Sequence, residues 1–219
     1  MPVEEIKKLL DSEDFGDRLR GINQLRQLDT ATAFELIRPL INDGHVRVRY
    51  AAVCQLDTLG QENLIATQVL LVDRLNNDPE ADVQAAAADA IAALKLTDAF
   101  PQLEQKYYQT PEWLVKFSIV AALGEMGDSR AFPLLVDALS SDVELIQTAA
   151  VSSLGELGDT KAVELLIPLA KHADWQVRYR VAAALHRLND PAGADALAQL
   201  AQDSIAQVAM AAQGGQEIS

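Results

Sequence analysis

The sequence contains one cysteine, Cys54, among its 219 residues. An intrachain disulfide therefore cannot form, and there is no cysteine cluster to hold a metal ion. No apolar run approaches the roughly 20 residues that a transmembrane helix needs. Residues 1–10 have the pattern of an amphipathic helix and not that of a secretory signal peptide. We expect a reduced cytoplasmic protein with no membrane insertion.

Aromatic and basic residues are also scarce. Aromatic side chains make up 5% of the chain although 49% of it is hydrophobic, and alanine and leucine supply most of that share, as closely packed helices require. The 18 lysines and arginines face 32 acidic residues, which gives a formal net charge of −14. A field of this sign repels phosphate backbones, so we expect no nucleic-acid partner.

The chain does contain an internal repeat. Residues 128–158 and 159–189 have the same length and plan, and five apolar positions recur at an interval of 31 residues. These are Ala131, Leu134, Leu135, Leu154 and Leu157, which return as Ala162, Leu165, Leu166, Leu185 and Leu188. A fixed period of this size is typical of a solenoid of stacked helix pairs.

The second helices of the pairs align on one column of mostly β-branched residues. This valine column consists of Asp17, Val48, Val83, Val115, Ile146, Val177 and Val208. In the first six units, a leucine, isoleucine or methionine follows at eight and at eleven residues further on, which keeps one helical face apolar. We predict an all-α, right-handed α-solenoid of about seven HEAT-like helix pairs (an alpha-alpha superhelix). It occupies residues 1–213 as a single domain, followed by a polar, frayed tail at 214–219.

A basic or amide side chain follows each member of the valine column up to residue 177. The residues are Arg18, Arg49, Gln84, Lys116, Gln147 and Arg178. One interpretation is a row of cations for an anionic ligand. The interpretation that we favour is a ladder in which each side chain bonds the turn of a neighbouring unit, because Asp43 and Asp78 are well placed to take part.

Aromatic residues flank the same column. At about 100° per residue they converge on one flank of the second helices. There they would either line the bottom of a groove or fill gaps between helices. Arginines accompany them in the segments RVRYA and VRYRV, and such patches suit a flat conjugated ligand that bears carboxylates. The candidate binding residues are Arg47, Arg49, Tyr50, Trp113, Lys116, Phe117, Trp175, Arg178, Tyr179 and Arg180.

Other chemistry finds little support. None of the histidines, His45, His172 and His186, has a second ligand three or four residues away, so we expect no metal site. Cys54 has no histidine nearby in sequence to activate it, and we expect a small, half-buried hydrophobic side chain there. No phosphate loop or dinucleotide-binding fingerprint is present.

Five stretches resemble a known family over nearly the full length of the chain. They are DFGDRLRGINQLRQLD, HVRVRYAAVCQLDTLG, DPEADVQAAAADAI, EWLVKFSIVAALGEMGD and DWQVRYRVAAALHRL. Together they resemble the cyanobacterial HEAT-repeat phycobilisome-degradation proteins of the NblB type, which are related to the phycocyanobilin lyase subunits of the E/F type. The resemblance implies phycobiliprotein subunits (phycocyanin and allophycocyanin) and an open-chain tetrapyrrole as partners. Phycocyanobilin would be ligand or substrate, no separate cofactor would be required, and the protein would be associated with phycobilisomes in the cytoplasm.

The activity implied is that of a bilin lyase-like protein, which detaches or transfers phycocyanobilin from cysteine thioethers during phycobilisome degradation. The alternative is a non-catalytic adaptor that binds phycobiliproteins and presents them for disassembly and proteolysis. Thioether detachment requires an acid or base, for which Asp57, Asp89 and His186 are the candidates. The isomerising relatives use a His-Cys pair that this sequence lacks, so we do not expect bond isomerisation.

Overall fold

The computed structural model describes residues 2–214, and within this range its regular elements are helices, without strands. Fourteen α-helices follow one another: α1 (Val3–Leu10), α2 (Phe15–Gln24), α3 (Thr30–Ile37), α4 (Val46–Leu59), α5 (Leu64–Asn77), α6 (Ala81–Ala93), α7 (Phe100–Gln109), α8 (Trp113–Met126), α9 (Phe132–Ala138), α10 (Glu144–Leu157), α11 (Ala162–Leu166), α12 (Trp175–Leu188), α13 (Ala194–Leu200) and α14 (Ala206–Ala212). They form seven consecutive pairs, which confirms the predicted all-α solenoid. Residues 215–219 of the predicted tail lie outside the described range.

The helices group into two compact units, Met1–Ala122 and Leu123–Ser219. In the first unit α2 packs on α4 and α4 on α6, and in the second α10 packs on α12 and α12 on α14. The boundary between the units falls inside α8. A single domain over residues 1–213 stays a prediction.

The core is built from the apolar columns that the sequence predicts. Every apolar member of the valine column is buried, and so are the residues eight positions further on. The latter are Leu25, Leu56, Ile91, Leu123, Leu154 and Leu185. Asp17, the polar member of the column, is only half-buried because its unit lies at the beginning of the stack.

Each pair has the same hydrogen bond in the turn between its two helices. A side-chain acceptor five residues before the valine column takes the backbone N–H two residues further on, at 2.8–3.2 Å. These acceptors, which we call the turn column, are Ser12, Asp43, Asp78, Thr110, Ser141, His172 and Asp203. The bond fixes the chain direction as it enters the second helix.

Three arginines connect successive turns. Arg49 donates from Nη1 to the Asp43 carbonyl at 3.0 Å, in its own turn. It also reaches Asp78 in the next turn, from Nε at 2.8 Å and Nη2 at 3.0 Å. Arg178 bonds Asp203 in the same way, and Arg18 donates to Asp43 from Nη2 at 2.9 Å. This arginine ladder confirms the interpretation that we favoured for Arg18, Arg49 and Arg178, including the roles of Asp43 and Asp78.

The glutamines of the column keep only the local half of this arrangement. Gln84 donates to the Asp78 carbonyl and Gln147 to the Ser141 carbonyl, both at 2.6 Å. The turn residues that follow them are Thr110 and His172, which bear no carboxylate. Ionic rungs therefore occur where an arginine is followed by an aspartate in the next turn.

Two glycines allow close approach of neighbouring second helices. A Cβ atom on Gly155 of α10 would lie 2.7 Å from both the Cα and the Cβ atom of Ala184 in α12. A Cβ atom on Gly124 would lie 2.5 Å from the Ser153 Cβ atom. Both distances are shorter than two carbon atoms tolerate, so the spacing of these helices depends on glycine at both positions.

Candidate functional site

The ladder accounts for two of the predicted binding residues. Arg49 is almost fully buried and Arg178 half-buried, and each donates from Nε, Nη1 and Nη2. The hydrogen bonds with Asp203 raise the pKa of Arg178. Few donors are left for a ligand on these two side chains, although their assignment as bilin-binding residues stays a prediction.

The predicted aromatic stripe lies largely at the surface. Tyr50, Trp113 and Trp175 are 46%, 47% and 38% exposed, while Phe117 and Tyr179 are half-buried. Rings exposed to this extent do not close gaps between helices. Their faces are open to stacking on a planar ligand.

In the first unit, α4 places Tyr50, Cys54 and Asp57 along one side. The half-buried Cys54 thiol lies about one helical turn from Tyr50. Burial raises the pKa of Cys54, and the negative charges of Asp57 and Asp89 raise it further. The side chain is therefore a protonated thiol at neutral pH, which is a poor nucleophile. Two of the three acid or base candidates, Asp57 and Asp89, therefore raise the pKa of the same thiol, a relation that the sequence did not reveal.

Two cations of the first unit complete the predicted set there. Lys116 is half-buried and its Nζ atom lies 5.4 Å from the centre of the Tyr107 ring, within cation–π range. Arg47 is exposed at the first turn of α4, and its backbone N–H is bonded by His45 Nδ1. The Arg47 guanidinium forms no ion pair with residues 2–214.

In the second unit, α10 and α12 line a small, solvent-open cavity of about 80 Å³. Arg180 donates from Nη1 to Ser152 Oγ at 3.0 Å, and Arg187 pairs with Glu156 at 3.3 Å. The Tyr179 side chain also lines the cavity. We call this the Arg180 pocket. Ser152, Glu156 and Arg187 were not predicted, because their partners lie 28 and 31 residues away, about one repeat distant.

The third acid or base candidate lies elsewhere in the second unit. His186 is exposed on α12, and a Cβ atom on Gly214 would lie 2.5 Å from its Nε2 atom. The candidates therefore divide between the two units, with Asp57 and Asp89 in the first and His186 in the second.

Residues 2–214 contain no group of three or more histidine, cysteine, aspartate or glutamate side chains placed to hold a metal ion. No helix in this range has the length and apolar character to cross a bilayer.

The repeated helix pairs match a known family model. The model for HEAT repeats matches residues 69–154 and 140–214. The chain belongs to the HEAT-repeat family. No curated protein sequence matches this HEAT-repeat protein significantly.

Several solved structures are similar to this HEAT-repeat protein. The complex of CpcE and CpcF of phycocyanin lyase from a Nostoc species has a TM-score of 0.66 and 20% identity, with 83% of this chain and 74% of that chain covered. Escherichia coli YibA has a TM-score of 0.65 and 16% identity, covering 96% and 80%. An engineered protein has a TM-score of 0.64 and 20% identity, covering 97% and 67%. At these identities the likenesses show the fold.

Proposed function

We propose that this HEAT-repeat protein is a bilin lyase-like protein of the NblB type, which detaches or transfers phycocyanobilin from phycobiliproteins. The observation that carries the proposal is the surface of α12, where the exposed Trp175 ring shares a helix with Arg180, a cation without a carboxylate partner among residues 2–214. The structural similarity to the phycocyanin lyase complex supports the same reading.

The chemistry of a bilin fits these groups. An open-chain tetrapyrrole is flat and conjugated, and it bears two propionates. Exposed aromatic faces such as those of Tyr50, Trp113 and Trp175 stack on a conjugated plane, while arginines such as Arg47 and Arg180 bind carboxylates. In a chain with a formal net charge of −14, these arginines supply local attraction for an anion.

Detachment is an elimination that cleaves the carbon–sulfur bond. A base removes a proton from the carbon next to the sulfur-bearing carbon, the electron pair forms a carbon–carbon double bond, and sulfur leaves as a thiolate that then takes up a proton. Asp57, Asp89 and His186 are the candidates for the base. We expect most of the rate enhancement to come from holding the bilin in position, away from its cysteine.

A second function is a non-catalytic adaptor that presents phycobiliproteins for disassembly. The observation in its favour is an exposed apolar strip on α5, where Leu64, Ile65 and Val69 are 45%, 83% and 67% exposed. Exposed apolar side chains in such a group are typical of protein–protein contacts. An adaptor would use contacts of this kind and leave the pigment covalently attached.

The test mixes the purified protein with holo-phycocyanin and follows the visible absorbance. Subunits are then separated on a denaturing gel that is stained with zinc for covalent bilin. Loss of covalent bilin from a subunit, with pigment on this protein, supports detachment or transfer. Unchanged pigment with co-elution of the two proteins supports the adaptor. If there is neither pigment loss nor co-elution, both functions are contradicted.

Matched variants sharpen this test. Trp175→Ala removes an exposed ring of the proposed site, and we expect it to slow pigment release at least tenfold. Tyr108→Ala removes an exposed ring of α7 outside the site, and release should be unchanged. Equal rates in both variants would contradict the role of the α12 surface.

A further inference from the structure

Most arginines of this acidic protein form ion pairs. Eight of the eleven have a carboxylate within 4 Å. Among residues 2–214, Arg26, Arg47 and Arg180 form no such ion pair. Of these three, Arg180 lines the cavity between α10 and α12.

The Arg180 pocket has room and charge for one small anionic group. Its volume of about 80 Å³ accommodates a single carboxylate but not a pyrrole chain. Arg180 and Arg187 contribute two positive charges and Glu156 one negative charge, so the pocket carries one net positive charge. One carboxylate neutralises it.

The guanidinium of Arg180 is held in place for such a ligand. Its Nη1 atom donates to Ser152 Oγ at 3.0 Å, a neutral acceptor that leaves the positive charge uncompensated. The remaining donors of the guanidinium form no hydrogen bond with residues 2–214. A planar guanidinium with free donors binds a carboxylate in two-point geometry, which is stronger than a single neutral hydrogen bond.

We propose that the Arg180 pocket binds one carboxylate of the ligand, a propionate of the bilin, while the conjugated part lies outside along Tyr179. This inference rests on the proposed function and names the part of the second unit that recognises the acid. The pocket thereby distinguishes the free tetrapyrrole acid from a neutral ester.

The experiment compares binding of phycocyanobilin with binding of its dimethyl ester by absorbance titration. The full chain is expected to bind the acid about tenfold more tightly than the ester, because the ester forms no charge-assisted bonds with the guanidinium. In Arg180→Gln the preference should disappear while affinity for the ester stays unchanged. Arg26→Gln removes an exposed, unpaired arginine outside the pocket and should retain the full preference.

A second pocket variant controls for misfolding of Arg180→Gln. Ser152→Ala keeps the guanidinium but removes its hydrogen-bond partner, and the preference should fall by about threefold. Equal affinity of the full chain for acid and ester, or an unchanged preference in Arg180→Gln, would overturn the pocket assignment and leave the proposed function standing. If neither compound binds and holo-phycocyanin also keeps its pigment, the proposed function fails with it.

Discussion

Arg178 and Arg180 lie two positions apart on α12 but have different surroundings. At about 100° per residue they point to opposite sides of the helix. Arg178 reaches the Asp203 carboxylate of the next turn, whereas Arg180 reaches the Ser152 hydroxyl of the preceding repeat. The first bond connects repeats, and the second leaves a cation available at the surface.

The buried rung between Arg49 and Asp78 gives a prediction for stability. The Asp78 side chain is completely buried, so Arg49→Met leaves its charge with Arg74, at 3.3 Å, as the remaining cation. We expect the free energy of unfolding to fall by about 3 kcal/mol, as in other broken buried ion pairs. Urea denaturation measures the change.

Two further variants test this cause. Arg26→Met alters an exposed arginine without an ion pair and should change stability by less than about 0.5 kcal/mol. The double variant Arg49→Met with Asp78→Asn should recover part of the loss, because no charge remains buried. An effect of Arg49→Met no larger than that of Arg26→Met would contradict the role of the rung.

These residues also show what the sequence could predict of the site. The pairing with Asp43 and Asp78 follows from a constant spacing to the valine column. Arg180 was recognised as a binding candidate, but its partners Ser152 and Glu156 belong to the preceding repeat, and no fixed pattern marks them. Cross-repeat contacts of this kind depend on helix packing, which one sequence does not specify.

Among the helices, two prolines end an α-helix where a kink was expected. Pro39 and Pro168 fall within the segments that the repeat assigns to first helices, where a proline predicts a kink. In the structure α3 ends at Ile37 and α11 at Leu166, and each continues as a 3₁₀ helix that contains the proline. The missing proline N–H and the ring clash end the α-helical hydrogen bonding one turn earlier.

The close contact between α10 and α12 gives a second prediction. Gly155→Ala places a Cβ atom 2.7 Å from the backbone of Ala184, so the helices must move apart. We expect a loss of about 1–3 kcal/mol in the free energy of unfolding, as overpacking usually causes. Gly44→Ala is the matched control, because a Cβ atom there meets nothing within 4 Å. A stability change equal to that of the control would show that the helices are not constrained by this contact.

For the whole molecule, each compact unit contains one tryptophan, Trp113 in the first and Trp175 in the second. Trp175→Phe leaves fluorescence that reports on the first unit, and Trp113→Phe reports on the second. Because the boundary falls inside α8, we expect coincident urea transitions for both variants. If the two midpoints differ by more than the shift that either substitution itself causes, the result would contradict a single cooperative solenoid over residues 1–213.

Stability should also fall at acid pH. The Arg178 guanidinium holds the pKa of Asp203 below its usual range. Hydrogen bonds lower the pKa values of Asp29, Asp73 and Asp128 too. A lowered carboxyl pKa stabilises the folded state above the unfolded pKa of about 4, and this contribution disappears as the pH falls through the folded pKa. The melting temperature should therefore decrease when the pH is lowered below about 4.

Asp203→Asn isolates one part of this dependence. The variant should be less stable at pH 7, because the ion pair with Arg178 is lost. It should lose less stability than the unaltered chain as the pH is lowered further. Thermal melts between about pH 2 and pH 7 measure both quantities. An acid slope as steep as that of the unaltered chain would mean that Asp203 does not contribute to it.

The turn column shares a hydrogen bond but not a residue type, since serine, aspartate, threonine and histidine all supply the acceptor. Any two units are therefore compatible in their turns, and the ladder alone limits how they can be recombined. Duplication or exchange of a unit between Arg49 and Asp78 removes one of the two cations from a buried carboxylate unless an arginine is supplied. A cut between Gln84 and Thr110, or between Gln147 and His172, breaks no ionic bond of the ladder, so we expect the repeat array to gain or lose units most easily at these two junctions.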